Sequence, residues 1–222
     1  SKDYFGQTSL YYYDLEDKKE EKIKSNVYSA PSWHSNGEVI FYSKKAKFPN
    51  KYGSRYYDIY YYNFITEKEE RLTTDLRAFS PVFIEKDSLI AFISTYDGGQ
   101  DLFIFNLKTN ESQKVTNFEN RPMISHLNYD ELSHSLYFDI TFHHFREIYN
   151  YNFNDSAITT FKNNTLYDER NMALDSFSGV KIYSRDKSGI FNLYMIDEKN
   201  ESEGYISNVT GGAFMPDVSN DG

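Results

Sequence analysis

Residues 80–116 read SPVFIEKDSLIAFISTYDGGQDLFIFNLKTNESQKVT, and the features of this stretch recur along the chain. The most regular of them is a small or polar residue followed by an aliphatic and then an aromatic residue. Its five copies are Ser9-Leu10-Tyr11, Asp58-Ile59-Tyr60, Asp101-Leu102-Phe103, Glu147-Ile148-Tyr149 and Asn192-Leu193-Tyr194. Successive copies lie 49, 43, 46 and 45 residues apart. A fixed period in this range predicts a repeat architecture, in which each unit buries its apolar face only by packing on its neighbours.

Two further landmarks keep the same order in the complete units. Short apolar runs begin at Pro31, Pro81, Ser125, Met172 and Pro216, and each of the first four precedes a triplet. An aliphatic residue and a threonine follow three of the triplets, at Leu72-Thr73, Val115-Thr116 and Val209-Thr210. Between the landmarks, apolar and polar residues alternate over about four to eight positions, which is the pattern of a half-buried strand. Separators such as Asn36-Gly37 can supply the positive φ that tight hairpins need.

Each repeat thus predicts four strands, A to D, joined by hairpins, which is the blade of a β-propeller. A β-sandwich is the alternative, but sandwich strands do not repeat their landmarks in phase. We therefore predict an all-β fold, a β-propeller of four-stranded antiparallel blades. Because the chain begins with strands C and D and stops after a strand A, we expect four complete blades with a partial blade at each end, as a fragment or an incompletely closed ring. The predicted single domain covers residues 1–222, with blades at about 1–24 (partial), 25–74, 75–117, 118–162, 163–210 and 211–222 (partial).

The second repeat carries a resemblance to a known family. Its landmarks are Ser80-Pro81-Val82-Phe83, Leu89-Ile90-Ala91-Phe92-Ile93-Ser94, Gly99-Gln100-Asp101-Leu102-Phe103 and Val115-Thr116. This order resembles the repeat of the TolB-like, WD-type β-propellers, and the match extends over essentially the whole chain. It departs from the family pattern between strands A and B, where Asp87-Ser88 replaces the expected Pro-Asp-Gly.

The resemblance implies a non-catalytic scaffold of the bacterial cell envelope, periplasmic or envelope-associated, with a protein or peptide partner. Two alternatives remain open. Similar propellers gate substrate access in prolyl-oligopeptidase-like serine peptidases, whose catalytic domain would lie outside this chain. A propeller of this kind could also be fused to an outer-membrane protein.

Composition and motifs exclude several classes of function for this stretch. The net charge of −9 argues against a nucleic-acid partner, which would require a basic surface. The absence of cysteine removes disulfides and thiolate metal sites. No apolar run approaches the roughly 20 residues that span a bilayer, so we expect no direct membrane insertion by this segment. Neither a Gly-x-Ser-x-Gly elbow nor a nucleotide- or metal-binding motif occurs, and we predict no catalytic site, cofactor or metal.

Three arginines precede strand A in successive repeats. Arg77 lies four residues before Pro81 and Arg121 four before Ser125, so we expect these two to occupy equivalent positions. Arg170 lies two residues before Met172. One interpretation is that each arginine bridges adjacent blades or caps a carbonyl. The other is a cationic mouth that takes a carboxylate or an acidic peptide in bidentate fashion.

The longest insertion, residues 44–57, is predicted to join strands B and C on the same face as the arginines. Its candidate binding residues are Lys44, Lys45, Lys47, Phe48, Tyr52 and Arg55. Loops on a rigid scaffold often carry binding residues, and aromatic side chains with arginine are typical of interface cores. A disordered loop that contacts nothing is the alternative.

A pair of histidines, His143 and His144, lies between Phe142 and Phe145. Adjacent residues of a strand point to opposite faces, so the pair is poorly placed to ligate one metal ion. We expect a loop contact or a role in partner binding instead.

Overall fold

The computed structural model describes residues 8–84, 86–162, 166–175 and 177–218. Among these residues the regular secondary structure is all strand, and eighteen strands form one two-stranded and four four-stranded sheets. Within each sheet the strands are antiparallel and adjacent in chain order, as hairpin connections require. The described part of the chain contains no helix of the length and apolarity that a membrane span needs.

The chain divides into two compact units, and the first is Ser1–Asn117. Its described residues form a two-stranded sheet followed by two complete sheets, which we call blade 1 (β3–β6) and blade 2 (β7–β10). The strands are β1 (Ser9–Asp14), β2 (Lys19–Ser25), β3 (Ser32–Trp33), β4 (Val39–Lys45), β5 (Tyr57–Asn63), β6 (Lys68–Arg71), β7 (Ala78–Ile84), β8 (Leu89–Ser94), β9 (Asp101–Asn106) and β10 (Glu111–Lys114).

The second unit, Phe118–Gly222, contains two complete sheets among its described residues. We call them blade 3 (β11–β14) and blade 4 (β15–β18). The strands are β11 (Met123–Asp130), β12 (Ser135–Phe142), β13 (Phe145–Asn152), β14 (Ile158–Thr160), β15 (Glu169–Asp175), β16 (Val180–Arg185), β17 (Asn192–Asp197) and β18 (Ser202–Tyr205). The predicted fold class, an all-β propeller of four-stranded antiparallel blades, is confirmed; that the whole chain is one domain remains a prediction.

The predicted last partial blade, 211–222, contributes no strand among its described residues. Residues 206–218 are irregular, and the run expected from Pro216 onward is not paired with another strand as far as Val218. Residues 219–222 lie outside the described part of the chain. The segment is held instead by the Ala213 N–H, which donates to the Phe191 carbonyl at 2.8 Å, and by a 4.9 Å ring contact between Phe191 and Phe214.

In blades 1, 2 and 4 the polar first residue of the triplet is a buried anchor for the connection that follows strand D. In blade 1 the Asp58 carboxylate is fully buried at the start of β5. Arg71 Nη2 donates to its Oδ2 at 2.6 Å, and Thr73 Oγ1 donates to its Oδ1 at 3.0 Å. The Leu76 N–H, on the way to blade 2, donates to the same Oδ1 at 3.0 Å. One carboxylate therefore ties strand C to the end of strand D and to the next connection, which explains the requirement for a polar residue.

The same anchor recurs in blades 2 and 4. Thr116 Oγ1 donates to Asp101 Oδ1 at 2.8 Å in blade 2. In blade 4, Ser207 Oγ donates to Asn192 Oδ1 at 3.0 Å, and the Leu193 N–H donates to Ser207 Oγ at 2.8 Å. The hydroxyl landmark of blade 4 is therefore Ser207. The sequence predicts Thr210, in Val209-Thr210, as this landmark. That prediction is wrong by three positions, because a serine stands where blades 1 and 2 have a threonine.

Strand A carries a β-bulge at the same place in three blades. The register shifts directly after Phe79, Ser125 and Arg170, and the next residues Ser80, His126 and Asn171 have positive φ angles of 53°, 56° and 58°. A bulge places two residues opposite one, so equivalent positions must be counted from it. Counted in this way, Arg77 is equivalent to Met123, and the predicted equivalence of Arg77 and Arg121 is wrong by two positions.

Neighbouring blades within each unit pack through aliphatic and aromatic side chains. Phe41 and Ile59 of blade 1 join Ala78, Ile90 and Phe92 of blade 2 in one buried cluster. The cluster between blades 3 and 4 is richer in tyrosine and contains Tyr137, Ile148, Met172, Tyr183 and Tyr194. Part of the 18% aromatic share thus fills the spaces between neighbouring blades.

One position of strand B makes a polar link to the next blade. In blade 1, Ser43 Oγ donates to the Ala78 carbonyl of blade 2 at 2.7 Å. In blade 3, Asp139 occupies the equivalent position and accepts the Asn171 N–H of blade 4 at 3.1 Å on each carboxylate oxygen. Both side chains are buried, so each link satisfies a polar group that would otherwise be costly in the core.

Candidate functional site

A cavity of about 400 Å³ lies in the first unit, where blade 1 meets the start of blade 2. Tyr28, Tyr57 and Phe79 supply its aromatic wall. The Tyr28 ring centroid is 4.8 Å from that of Tyr57 and 5.7 Å from that of Phe79, with the latter pair edge to face. Because Tyr28 is still 59% exposed, this aromatic surface is open to a ligand.

Two arginines, Arg55 and Arg77, line the same cavity. The Arg77 guanidinium carbon is 4.4 Å from the centre of the Tyr56 ring, and its Nη2 donates to the Tyr56 hydroxyl at 3.1 Å. Hydrogen bonds with Ser54 and then with Arg77 lower the pKa of Tyr56. Arg77 thus links the start of blade 2 to the loop of blade 1, as an arginine that bridges adjacent blades would. It remains exposed, and one hydrogen bond uses only one of the five N–H donors of a guanidinium.

A second cavity of about 330 Å³ shares Arg55 with the first. Lys45 and Lys47 line it together with Ser25 and Asn26. The two cavities therefore adjoin at Arg55 and make up one candidate surface, with the aromatic residues in the first cavity and the lysines in the second. We call this surface the Arg55 groove.

Lys44 also borders the groove, but its charge is already paired. Its Nζ lies 2.7 Å from Glu69 Oε2 and 5.0 Å from the centre of the Tyr60 ring. Glu69 additionally accepts a hydrogen bond from the hydroxyl group of the buried Tyr42. Lys44 and Lys45 belong to β4, so the predicted insertion of 44–57 is shorter as a loop, at 46–56.

The loop 46–56 is tied to its surroundings, contrary to the alternative of a loop without contacts. Asn50 Oδ1 accepts the N–H groups of Tyr52 and Ser54 at 3.0 and 3.1 Å, and Asn50 Nδ2 donates to Asp75 at 3.2 Å. Phe48 and Tyr52 are 71% and 78% exposed at its surface. The predicted aromatic residues are therefore presented to solvent by an internally bonded loop.

Arg170 and Arg121 lie in the second unit and have different environments. The Arg170 guanidinium carbon is 3.9 Å from the Phe191 ring centre and 5.0 Å from that of Phe214. Burial lowers the pKa of Arg170, and the positive charge of Arg146 lowers it further. Its aromatic contacts make it a packing residue. Arg121 is exposed in a turn closed by its own N–H, which donates to the Phe118 carbonyl at 3.3 Å.

His143 and His144 form the exposed turn between β12 and β13. The His143 ring centroid lies 4.4 Å from that of Phe142, edge to face. His143 also lines a cavity of about 330 Å³ with Phe142, Phe145 and Glu147. Across the described ranges, no group of three or more His, Asp or Glu side chains is placed to hold a metal ion.

The structure thus brings Arg77, Arg55, Lys45 and Lys47 to one surface of the first unit. Tyr28 and Phe79 were missed, although the sequence carries a signal for them. Each aromatic residue is followed by a serine just before the apolar run of strand A, at Tyr28-Ser29 and Phe79-Ser80. Their equivalence is supported by the Ser80 N–H, which donates to Ser29 Oγ at 2.8 Å.

Comparisons with known proteins match this chain through its structure and not through its sequence. No protein-family model matches it, and no curated protein sequence matches it. Among solved structures, TolB from Acinetobacter baumannii is similar with a TM-score of 0.69 and 14% identity, over 95% of this chain and 51% of that protein. The β-propeller domain of the Trilobed protease from Pyrococcus furiosus gives a TM-score of 0.68 and 13% identity, over 99% of this chain and 70% of that one.

An oligogalacturonate lyase from Vibrio parahaemolyticus is similar as well, with a TM-score of 0.65 and 13% identity, over 89% of this chain and 59% of that protein. The chain therefore spans about half the length of TolB and about three fifths of the lyase. At identities this low the likeness concerns the fold. It confirms that the chain has the fold of the TolB-like propellers.

Proposed function

We propose that this chain is a non-catalytic scaffold for a protein or peptide partner, and that the partner binds in the Arg55 groove. The observation that carries the proposal is the cavity formed by Tyr28, Phe79 and Arg77 directly beside the basic cavity that shares Arg55. Tyrosine, phenylalanine and arginine are enriched where protein interfaces are buried. The volume of about 400 Å³ lies within the range of about 300–1,000 Å³ typical of ligand sites.

The loop 46–56 extends the proposed surface. Phe48 and Tyr52 are large aromatic side chains with most of their area in solvent. Such side chains add contact area at a low cost in conformational entropy because they have only two rotatable side-chain bonds. Arg121 and the His143–His144 turn are proposed as separate, weaker contact points of the second unit.

The bacterial envelope is the proposed location. Its support is the structural likeness to TolB from Acinetobacter baumannii together with the repeat landmarks shared with TolB-like propellers. Fractionation of the host cell into cytoplasm, periplasm and membranes tests the location, and recovery in the cytoplasm alone would contradict it.

Site-specific photocrosslinking tests the binding function. A photoreactive phenylalanine derivative replaces Tyr28, which is 59% exposed in the groove, and as a control it replaces Ile65, which is 72% exposed in the turn between β5 and β6. We expect an envelope protein to crosslink at position 28 and not at position 65. Its purified form should then bind the unmodified chain. Identical products at both positions, or none, would contradict the proposed site.

A second candidate is the propeller part of a serine peptidase. The observation that favours it is the likeness to the propeller domain of the Pyrococcus furiosus protease. The reading frame around this stretch distinguishes the two candidates, because a peptidase requires a downstream Gly-x-Ser-x-Gly with its Asp and His partners. A frame that encodes a strand-rich membrane barrel instead would support the fusion to an outer-membrane protein.

A further inference from the structure

The basic side of the Arg55 groove holds positive charge that the protein itself does not neutralise. Within residues 8–84 and the other described ranges, no carboxylate lies within salt-bridge distance of Lys45, Lys47 or Arg55. Lys47 Nζ lies 5.3 Å from the centre of the exposed Phe48 ring. Three cations are thus available to a ligand.

The two acidic side chains that contact Lys44 and the loop 46–56 are already engaged with these and other groups. Glu69 pairs with Lys44 at 2.7 Å. Asp75 lies 3.6 Å from Arg71 Nη2 and accepts a hydrogen bond from Asn50 at 3.2 Å. The groove therefore keeps a local excess of positive charge in a chain whose net charge is −9. A local field of this sign attracts an anionic ligand and repels a cationic one.

The aromatic side of the groove suits a different group. Tyr28 and Phe79 meet at 5.7 Å, and the cavity that they border is large enough for one aromatic or aliphatic side chain. Because Arg55 lines both cavities, a ligand that fills the aromatic side places its neighbouring groups beside the cations. A ligand with only charge, or with only an apolar group, would leave half of the groove unused.

We infer that the partner contributes an extended acidic segment with one apolar anchor. The anchor enters the cavity between Tyr28 and Phe79, and flanking carboxylates contact Arg55, Lys45 and Lys47. Arg55 supplies the bidentate geometry that a carboxylate prefers, and the lysines act as point charges. This inference rests on the proposed function and specifies the chemistry of the partner.

A nucleic acid fits these observations less well than a peptide. A long polyanion would have to approach a protein with 33 acidic and 24 basic side chains. Nucleic-acid sites usually spread basic residues over a whole face, because affinity comes from many phosphate contacts. A short acidic peptide needs only the local charge of the groove.

The test uses short fluorescent peptides with blocked termini and the whole chain of 222 residues. The probe is Glu-Glu-Phe-Glu-Glu, and the comparison peptides are Lys-Lys-Phe-Lys-Lys and Glu-Glu-Ser-Glu-Glu. Binding is measured by fluorescence anisotropy at low and at high salt. We expect the acidic probe with phenylalanine to bind at least tenfold more tightly than either comparison peptide, a difference of about 1.4 kcal/mol. High salt should weaken the binding of the acidic probe, because exposed charges are screened.

Charge reversal locates the site on the protein. The variant combines Lys45→Glu with Arg55→Glu, and the matched control combines Lys108→Glu with Lys199→Glu, which lie in exposed turns. We expect at least a tenfold loss of affinity for the first pair and less than twofold for the control. Circular dichroism and unchanged urea midpoints establish that both variants fold.

The outcomes separate this inference from the proposed function. Equal binding of the lysine peptide, or of an oligothymidine of twelve nucleotides, would overturn the acidic-peptide assignment. If no short peptide binds but a partner crosslinks at Tyr28, the same charge-reversal variants are tested with that purified partner. Retained affinity would overturn the inference and leave the proposed function standing. Absence of any crosslinked partner would overturn the proposed function itself.

Discussion

Replacement of Asp139 by asparagine should remove a large pH dependence from the stability of the fold. The Asp139 side chain is 1% exposed in β12 and accepts the Asn171 N–H from blade 4. Burial raises its pKa from 3.8 to about 7. The Asn171 hydrogen bond and the positive charges of Arg146 and Arg170 act in the opposite direction, and Asp168 adds to the increase. Burial outweighs the other contributions because the carboxylate loses nearly all of its water.

The direction of the effect follows from proton binding. The folded state holds the Asp139 proton up to about pH 7, and the unfolded chain releases it near pH 4. The protonated Asp139 therefore contributes its full stabilisation of the fold below about pH 4, and this stabilisation is lost as the pH rises through about 7. The pKa of Asp139 differs by about three units between the folded and the unfolded chain, which corresponds to about 4 kcal/mol in the free energy of unfolding. About 3 kcal/mol of this change occurs between pH 4.5 and pH 7.5.

Urea unfolding at pH 4.5 and pH 7.5 measures this contribution. Other groups titrate in the same range, so the informative quantity is the difference between the original chain and Asp139→Asn. Asparagine has nearly the same shape and keeps one oxygen for the Asn171 N–H. Between pH 4.5 and pH 7.5, we expect the free energy of unfolding of the original chain to fall by about 3 kcal/mol more than that of the variant. The exposed Glu111→Gln serves as the control. Parallel pH profiles for the original chain and Asp139→Asn would refute the reasoning.

Three further predictions concern stability in the first unit, followed by urea unfolding and the fluorescence of the single tryptophan. Asp58→Ala should cost about 3–5 kcal/mol, because it removes a fully buried carboxylate and leaves Arg71 and several N–H groups without their acceptor; a loss below about 1 kcal/mol would contradict the anchor role. Phe92→Ala should cost about 3–5 kcal/mol as a cavity in the core, whereas Phe48→Ala should change stability by less than about 0.5 kcal/mol. Equal effects would contradict the burial of the two rings. Ser43→Ala should cost about 1 kcal/mol, since the Ala78 carbonyl loses its hydroxyl donor; no measurable change would argue against that link.

Much of the fold could be predicted because its signals are local. The triplets at Asp58 and Asp101 mark strand C because a buried anchor at the start of that strand requires a polar residue with a hydroxyl partner about 15 residues later. The hairpin turns are recognisable by residues that tolerate positive φ. Sequence spacing is sufficient for features that one blade contains within itself.

The register of strand A could not be predicted in this way. The bulge residues Ser80, His126 and Asn171 are polar but belong to three different residue types, although all three have positive φ. Counting from Pro81 and Ser125 therefore leads to a false equivalence. Only the strand pairing reveals that two residues of strand A oppose one of strand B.

The candidate site could be predicted in part. Arg55, Lys45 and Lys47 were found because charge and aromatic residues cluster in an insertion. The pairing of Tyr28 with Phe79 was missed, because it depends on where two neighbouring blades bring side chains that are 51 residues apart in sequence. A search for repeated positions that stay aromatic would have found both.

The strand A bulge has a consequence for anyone who transplants binding surfaces between blades. Side chains alternate between the two faces of a strand, and an extra residue inverts that alternation. Residues on either side of Ser80 are therefore out of phase with each other. A graft that equates Pro81 with Ser125 would place Phe79 two positions away from its equivalent along the strand, whereas one aligned on the positive-φ residues Ser80 and His126 would keep both sides of the bulge in register. The bulge is the natural origin for a blade-by-blade numbering of this chain.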